Sequence, residues 1–304
     1  MSIVSFNTMN TLCDRLASVS DCFESDDLVV MHGTKQMMFD EEHPVQLTHL
    51  HKGCIALQWG WRKSQMGNSG FGITMLVNSR LRHAFMRPYH PPVELSGRAA
   101  ALHLWNGIED LMIFGVYMPA GGTSTEDKQH WAIQSILQWM SRILREAPRR
   151  PITFLCGDLT ADGGELMSGG FGQTTIWTDN ASGGLENDTG KLMREWAESH
   201  DMVVAITSGK IGGTSFHTNE CTNIFLPRSG LDLVQSLQHD LEAMRKLQAM
   251  STSRLREHPP IRICLGPMKI KVPAQIIGTV PAHADRDDEE GVSAGSGQGL
   301  VGQQ

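Results

Sequence analysis

The sequence predicts an α/β sandwich, two mixed β-sheets flanked by helices. Three features carry that prediction. Short apolar runs of strand length recur along the chain, and a few longer segments repeat apolar residues at the three-to-four spacing of a helix. The stretch from Cys54 to Met118 then holds four strand candidates with no good helix between them. A doubly wound parallel sheet needs a crossover after nearly every strand, so this stretch argues against one.

In chain order, SIVSF (Ser2–Phe6) and DLVVM (Asp27–Met31) read as strands around a helix carrying Leu12, Leu16 and Val19. A polar, histidine-bearing connection leads to CIALQW and GFGITMLV. RAAALHL (Arg98–Leu104) and LMIFGVYM (Leu111–Met118) are separated by a polar turn of hairpin length, residues 105–110. Glu126–Glu146 places Ile133, Ile136, Leu137, Met140 and Leu144 on one face, so it is expected to be a core-facing helix that ends before Pro148 and Pro151. ITFLC is a buried strand. Residues 163–184, rich in Gly, Ser and Thr, read as a surface loop. Asn187–His200 reads as a helix followed by the strand MVVAI, and the Met and Trp residues of the two long helices read as core packing. Leu233, Leu237, Leu241, Met244 and Leu247 fit a further helix, and IRICL (Ile261–Leu265) a last strand. Residues 1–266 are therefore expected to form one domain. Residues 267–304 form a C-terminal extension, mostly disordered from about position 283, where apolar periodicity stops.

Composition narrows the function. Hydrophobic residues make up 40% and charged residues 19%, an ordinary balance for a globular domain. No apolar run reaches the roughly 18 residues of a membrane span, and the start MSIVSFN lacks the features of a secretory signal. Six cysteines are scattered without a CxxC pair, so reduced thiols are expected, with no disulfide, in a cytoplasmic or nuclear protein. The formal charge of −7 gives little support for a broad electrostatic grip on nucleic acid. One basic stretch, SRLRHAFMRPYH, interleaves Arg80, Arg82 and Arg87 with His83, Phe85 and Tyr89; its expected form is a solvated loop between strands. His43, His49, His51 and Cys54 match no standard zinc spacing and read as a polar edge or loop.

The most informative segment is ITFLCGDLTADGG. An apolar strand ending in Gly-Asp puts a carboxylate, Asp158, at a strand's carboxyl end, where sites of layered α/β folds sit. Alone it reads as the start of a turn. It belongs, however, to an ordered series. SIVSFN ends in Asn7; DLVVM is followed by His32, Gly33, Thr34 and Lys35; Arg98, Ala99 and Ala100 open a strand; Tyr117, Met118 and Pro119 close one. Gly157-Asp158-Leu159-Thr160, Asn187 with Gly190, Thr214, Ser229-Gly230-Leu231-Asp232 with Val234, and Glu257-His258 before IRICL complete it.

This order resembles the endonuclease/exonuclease/phosphatase superfamily, particularly its retrotransposon-endonuclease branch, over Ser2 to about Leu265. The resemblance implies a hydrolase, a Mg²⁺-dependent nuclease or phosphodiesterase, in which hard oxygen ligands hold the ion, an Asp orients the attacking water and a His serves the phosphoryl group. Carried over, Asp158, His258, Tyr117 and Asp232 are the expected catalytic set. Asn7, Thr160 and Arg98 are the expected phosphate or substrate contacts. Asn7 and Glu257 are what remains to hold metal. Three residues depart from the pattern: Gly33 stands where the metal-binding Glu belongs, Thr160 replaces the Asn of the Gly-Asp-Leu-Asn box, and Glu257 replaces the Asp of the Asp-His pair. The expectation is a divergent site with impaired activity. The alternative is an inactive remnant of a retroelement endonuclease that acts, if at all, by binding nucleic acid or protein.

Overall fold

The computed structural model describes residues 1–8, 15–37, 44–61, 71–81, 84–106, 110–117, 126–147, 150–158, 165–166, 175–176, 188–204, 222–250 and 260–266. They lie within one compact unit, Met1–Lys269. In chain order the strands are β1 (Ser2–Asn7), β2 (Leu28–His32), β3 (Val45–His49), β4 (Ile55–Trp59), β5 (Ile73–Val77), β6 (Phe85–Tyr89), β7 (Ala99–Trp105) and β8 (Asp110–Tyr117). They continue as β9 (Ile152–Asp158), β10 (Glu165–Leu166), β11 (Thr175–Ile176), β12 (Met202–Val204), β13 (Thr222–Pro227), β14 (Val234–His239) and β15 (Ile261–Leu265). The helices are α1 (Leu16–Cys22), α2 (Glu126–Glu146), α3 (Asp188–Ser199) and α4 (Leu241–Met250).

Two mixed sheets face each other. The first has the order β14-β15-β1-β2-β5-β4-β3, the second β12-β13-β9-β8-β7-β6. Each contains a single parallel pair, β1 with β2 and β8 with β9, and both pairs are joined through a helix as parallel neighbours require. Strand alternation separates the two cores. Ile3, Leu28 and Val30 face the second sheet, while Val4, Phe6, Val29 and Met31 pack outward with Val19 of α1 and Ala243 and Leu247 of α4. On the far side, Phe114 of β8 meets Trp139 of α2 edge-on, with ring centroids 6.1 Å apart.

The sheets approach closely at Gly115. A Cβ there would lie 2.9 Å from Ile73 Cγ2 and 3.3 Å from both Met75 Cε and Val30 Cγ1. Gly115→Ala is therefore expected to cost about 1–3 kcal/mol through overpacking. Equilibrium denaturation checks this, and an unchanged midpoint would contradict such close packing.

The expected strands are present, including all of those between Cys54 and Met118, and α2 spans the expected 126–146. Four expectations need correction. The basic–aromatic stretch is not a loop throughout: Phe85–Tyr89 is a sheet-edge strand, because Met86 and Pro88 pair with core residues Leu104 and Leu102. The leucines from Leu233 to Leu247 do not share one helix. Val234–His239 pairs with β15 as a strand, and the helix begins only at Leu241, where the Asp240 carboxylate accepts the Ala243 N–H at 2.9 Å as an N-cap. Within residues 163–184 the described pairs form a two-stranded ribbon of β10 with β11. Trp131 of α2 is no core residue but 52% exposed. Among the described residues, no helix is long and apolar enough to cross a membrane.

Candidate active site

Several strands end at one rim of the sandwich. β1 ends in Asn7, opposite His32 at the end of β2; β8 ends in Tyr117, opposite Asp158 at the end of β9. Alternation turns Asn7 inward from the first sheet, and it turns Tyr117 inward from the second, two residues beyond Gly115. Three expected site residues, distant in sequence, are thereby brought together. The Asn7 Nδ2 amide donates to Asp158 Oδ2 at 2.6 Å across the gap between the sheets. Arg98, just before β7, accepts the Tyr117 N–H on its carbonyl at 2.8 Å. Its guanidinium carbon sits 4.1 Å from the centre of the Phe71 ring. Burial lowers the Arg98 pKa, and the charge interaction with the Tyr117 phenol opposes that shift.

Gly33 sits in the middle of this group. Its φ is +63°, a region that a residue with a side chain occupies only at a cost. A Cβ at Gly33 would lie 2.8 Å from Asn7 Oδ1 and 3.3 Å from both Cζ and Oη of Tyr117. The Thr8 hydroxyl locks the same turn, donating to the carbonyls of Gly33 at 2.7 Å and His32 at 3.1 Å. The space that the first atom of a side chain at position 33 would enter is therefore taken by Asn7 and Tyr117.

Asp158 lies at its strand's carboxyl end yet is only 2% exposed, as is Asn7. Beneath them lies a second buried polar group. Ser5 Oγ and His32 Nε2 are 3.1 Å apart, and the Ser5 hydroxyl also reaches the Cys156 thiol. Burial pushes the Cys156 pKa up to about 12, so it is no thiolate nucleophile.

Asp232 does not join the rim. β13 enters the second sheet at the rim, with Thr222 opposite Asp158, and leaves at Pro227. The 3-10 segment Arg228–Leu233 follows, and β14 then enters opposite Leu265, whose N–H bonds the Met1 carbonyl. The backbone of Asp232 is thus at the opposite end of the sandwich, roughly 20 Å from the rim at about 3.3 Å per strand residue. The position that sequence reasoning missed is Thr222, in register with Asp158. Its segment TNIFLP carries no sequence signal beyond that of an apolar strand. Thr160, Glu257 and His258 lie outside the described residues, as do Asn187 and Thr214. β15 itself enters at the rim end, with Ile261 opposite Ser5.

Mg²⁺ takes an octahedron of hard oxygens, with one or two protein carboxylates among them. At this rim the described side chains supply one carboxylate, Asp158, and it already accepts a charge-assisted hydrogen bond from Asn7. Among the described residues, no three His, Cys, Asp or Glu side chains gather as a metal site. The described residues do not fit the ion that the resemblance implies.

Two facing mixed sheets with strand ends converging at one rim are the architecture of the endonuclease/exonuclease/phosphatase fold, and the chain has that fold. It is similar to an AP endonuclease from Leishmania major, with a TM-score of 0.59 at 11% identity over 88% of each chain. It is also similar to the 3′ phosphatase NExo from Neisseria bound to product DNA hairpin, with a TM-score of 0.55 at 13% identity over 87% of this chain and 99% of that one. An AP endonuclease from Archaeoglobus fulgidus gives a TM-score of 0.53 at 10% identity over the same shares. No protein-family model matches the chain, and no curated protein matches its sequence.

Proposed function

We propose that this chain is a phosphodiesterase-fold protein whose metal-dependent hydrolysis is impaired to near background. The single observation that carries this is the geometry of Gly33. Its left-handed backbone and the contacts that a Cβ would make with Asn7 and Tyr117 disfavour any side chain, and so an acidic ligand, at that position. The Asn7–Asp158 hydrogen bond supports the same reading, since it engages the carboxylate that the resemblance assigns to orienting water. The backbone of Asp232 is a strand's length from the rim. In this reading Asn7, Tyr117 and Asp158 are retained as a polar plug that closes the rim, a role that needs no metal.

Plasmid nicking and bis(4-nitrophenyl) phosphate hydrolysis with Mg²⁺ or Mn²⁺ test the proposal. The expected result is turnover at background that Asp158→Ala leaves unchanged. Metal-dependent cleavage abolished by Asp158→Ala would overturn it. A structural plug also predicts that Asp158→Ala lowers the melting temperature, whereas residues kept for catalysis are often stabilised by removal.

A further inference from the structure

The outer face of the second sheet carries a strip of aromatic and cationic side chains that the rim does not use. β6 is the edge strand, with Phe85 opposite Trp105, Arg87 opposite His103 and Tyr89 opposite Ala101. Because Met86 and Pro88 point inward with Leu104 and Leu102, alternation puts Phe85, Arg87 and Tyr89 on the outside. Phe85 is 57% exposed, and Arg87 holds its guanidinium 4.9 Å from the Tyr89 ring centre. Among the described residues the acid beside this strip is Asp110, mostly covered and turned onto His103, with Oδ1 2.5 Å from Nε2.

Past Tyr89 the chain reaches a second exposed element. The 3-10 turn Val93–Leu95 packs beside α2. Between them runs a groove along the α2 ridge of Trp131, Ser135, Gln138, Arg142 and Arg145. Those positions recur at steps of four and three, so they form one line on the helix surface. Five large hydrophobic side chains stand exposed among the described residues, and Phe85, Val93 and Trp131 are three of them. Two of these three are aromatic, one on the β6 strip and one lining the groove, and an exposed ring offers a stacking face.

We propose that this surface binds single-stranded nucleic acid, with bases stacked on Phe85 and Trp131 and phosphates held by Arg87, Arg142 and Arg145. The argument from charge is specific. On a chain of net charge −7, the exposed charged side chains described along the strip and the groove are three arginines against one acid, Glu94. None of the three arginines forms an ion pair with a described residue. Flat rings interleaved with cations suit a flexible polyanion whose bases are free to stack. A duplex hides its bases, and an acidic peptide has no stacking faces to meet Phe85. Neither the surface nor its test involves Asn7, Tyr117 or Asp158, so this inference stands or falls apart from the reading of the rim.

Fluorescence anisotropy with labelled oligothymidylate and oligouridylate of about twelve nucleotides tests it at low salt. Binding is expected, with Phe85→Ala and Trp131→Ala each weakening it about fivefold or more. Phe85→Leu keeps the apolar volume and removes the ring, and it is expected to weaken binding as the alanine does. Arg142→Glu with Arg145→Glu should cost at least about tenfold and make the salt dependence shallower by about 0.7 in log–log slope per lost phosphate contact. The substituted side chains are exposed, and unchanged far-ultraviolet circular dichroism confirms folding. No binding at low salt, affinity indifferent to these substitutions, tighter binding of a duplex, or tighter binding of polyglutamate would each overturn the proposal.

Discussion

Gly33→Glu is expected to lower stability by about 2–5 kcal/mol and to restore no hydrolysis, although it supplies the carboxylate that the resemblance lacks. Two costs add. A side chain at φ +63° strains the backbone by about 1–3 kcal/mol. Its Cβ also meets Asn7 Oδ1 at 2.8 Å, and overpacking of a buried site costs a similar amount. Urea denaturation of the variant beside the parent chain measures the sum. Gly33→Ala isolates the first atom of the side chain and should show about half of the loss or more. Asn7→Ala removes the oxygen that the Cβ meets, so Gly33→Ala and Asn7→Ala should be coupled, the double variant losing less than the sum of the single ones. Asn7→Ala alone also deprives the buried Asp158 carboxylate of a donor, and that share should be destabilising. A Gly33→Glu protein that is as stable as the parent and nicks DNA with Mg²⁺ would show an open rim, and the reading of a plugged site would be wrong.

Much of this architecture was legible in the sequence, for a physical reason. β1, β2, β8 and β9 are central strands buried on both faces, so they read as continuous apolar runs, and their ends fell where Asn7, Tyr117 and Asp158 were expected. The polar residues that terminate such runs are the ones that can reach the rim. The failures share a cause as well. Asp232 matched a local pattern, but its place depends on which sheet the next strand joins. β13 had already used the rim-to-base direction, so the turn holding Asp232 lies at the base. The leucines from Leu233 to Leu247 fit helical spacing because an alternating strand followed by a helix can satisfy it over so few positions. Trp131 shows the limit of composition: a tryptophan in an amphipathic helix reads as core, yet this one lies on the polar ridge of Ser135, Gln138 and Arg142 and is exposed. The glycine at position 33 was read only as a missing ligand. A glycine directly after a buried strand also signals a left-handed backbone, and that signal was available.

His32 is expected to make the fold acid-sensitive, removing about 2 kcal/mol of stability between neutral pH and about pH 5. The imidazole is fully buried, its Nε2 faces Ser5 Oγ at 3.1 Å, and its Nδ1 finds no hydrogen-bond partner among the described residues. Burial pulls its pKa down from 6.5 to about 3. The folded state therefore keeps it neutral, while the unfolded chain takes up a proton below about 6.5. Between those values the unfolded state binds more protons, so stability is complete above the unfolded pKa and is lost as pH falls toward the folded one. At about pH 5 the gap is some 1.5 pH units at 1.36 kcal/mol each, which gives the figure above. His32→Met, apolar and of similar volume, removes this titration and only this one. Urea denaturation of both proteins at about pH 7.5 and pH 5 should show the parent losing about 2 kcal/mol more than the variant. Asp26, whose pKa burial raises, contributes to the pH dependence of both proteins in the opposite direction, so the difference between the two proteins is the informative quantity. Equal pH dependence in both would mean that His32 reaches water. Because His32 directly precedes Gly33 and pairs with Asn7 across β1 and β2, water at His32 would also mean water behind the rim, and the plugged site would have to be abandoned with it.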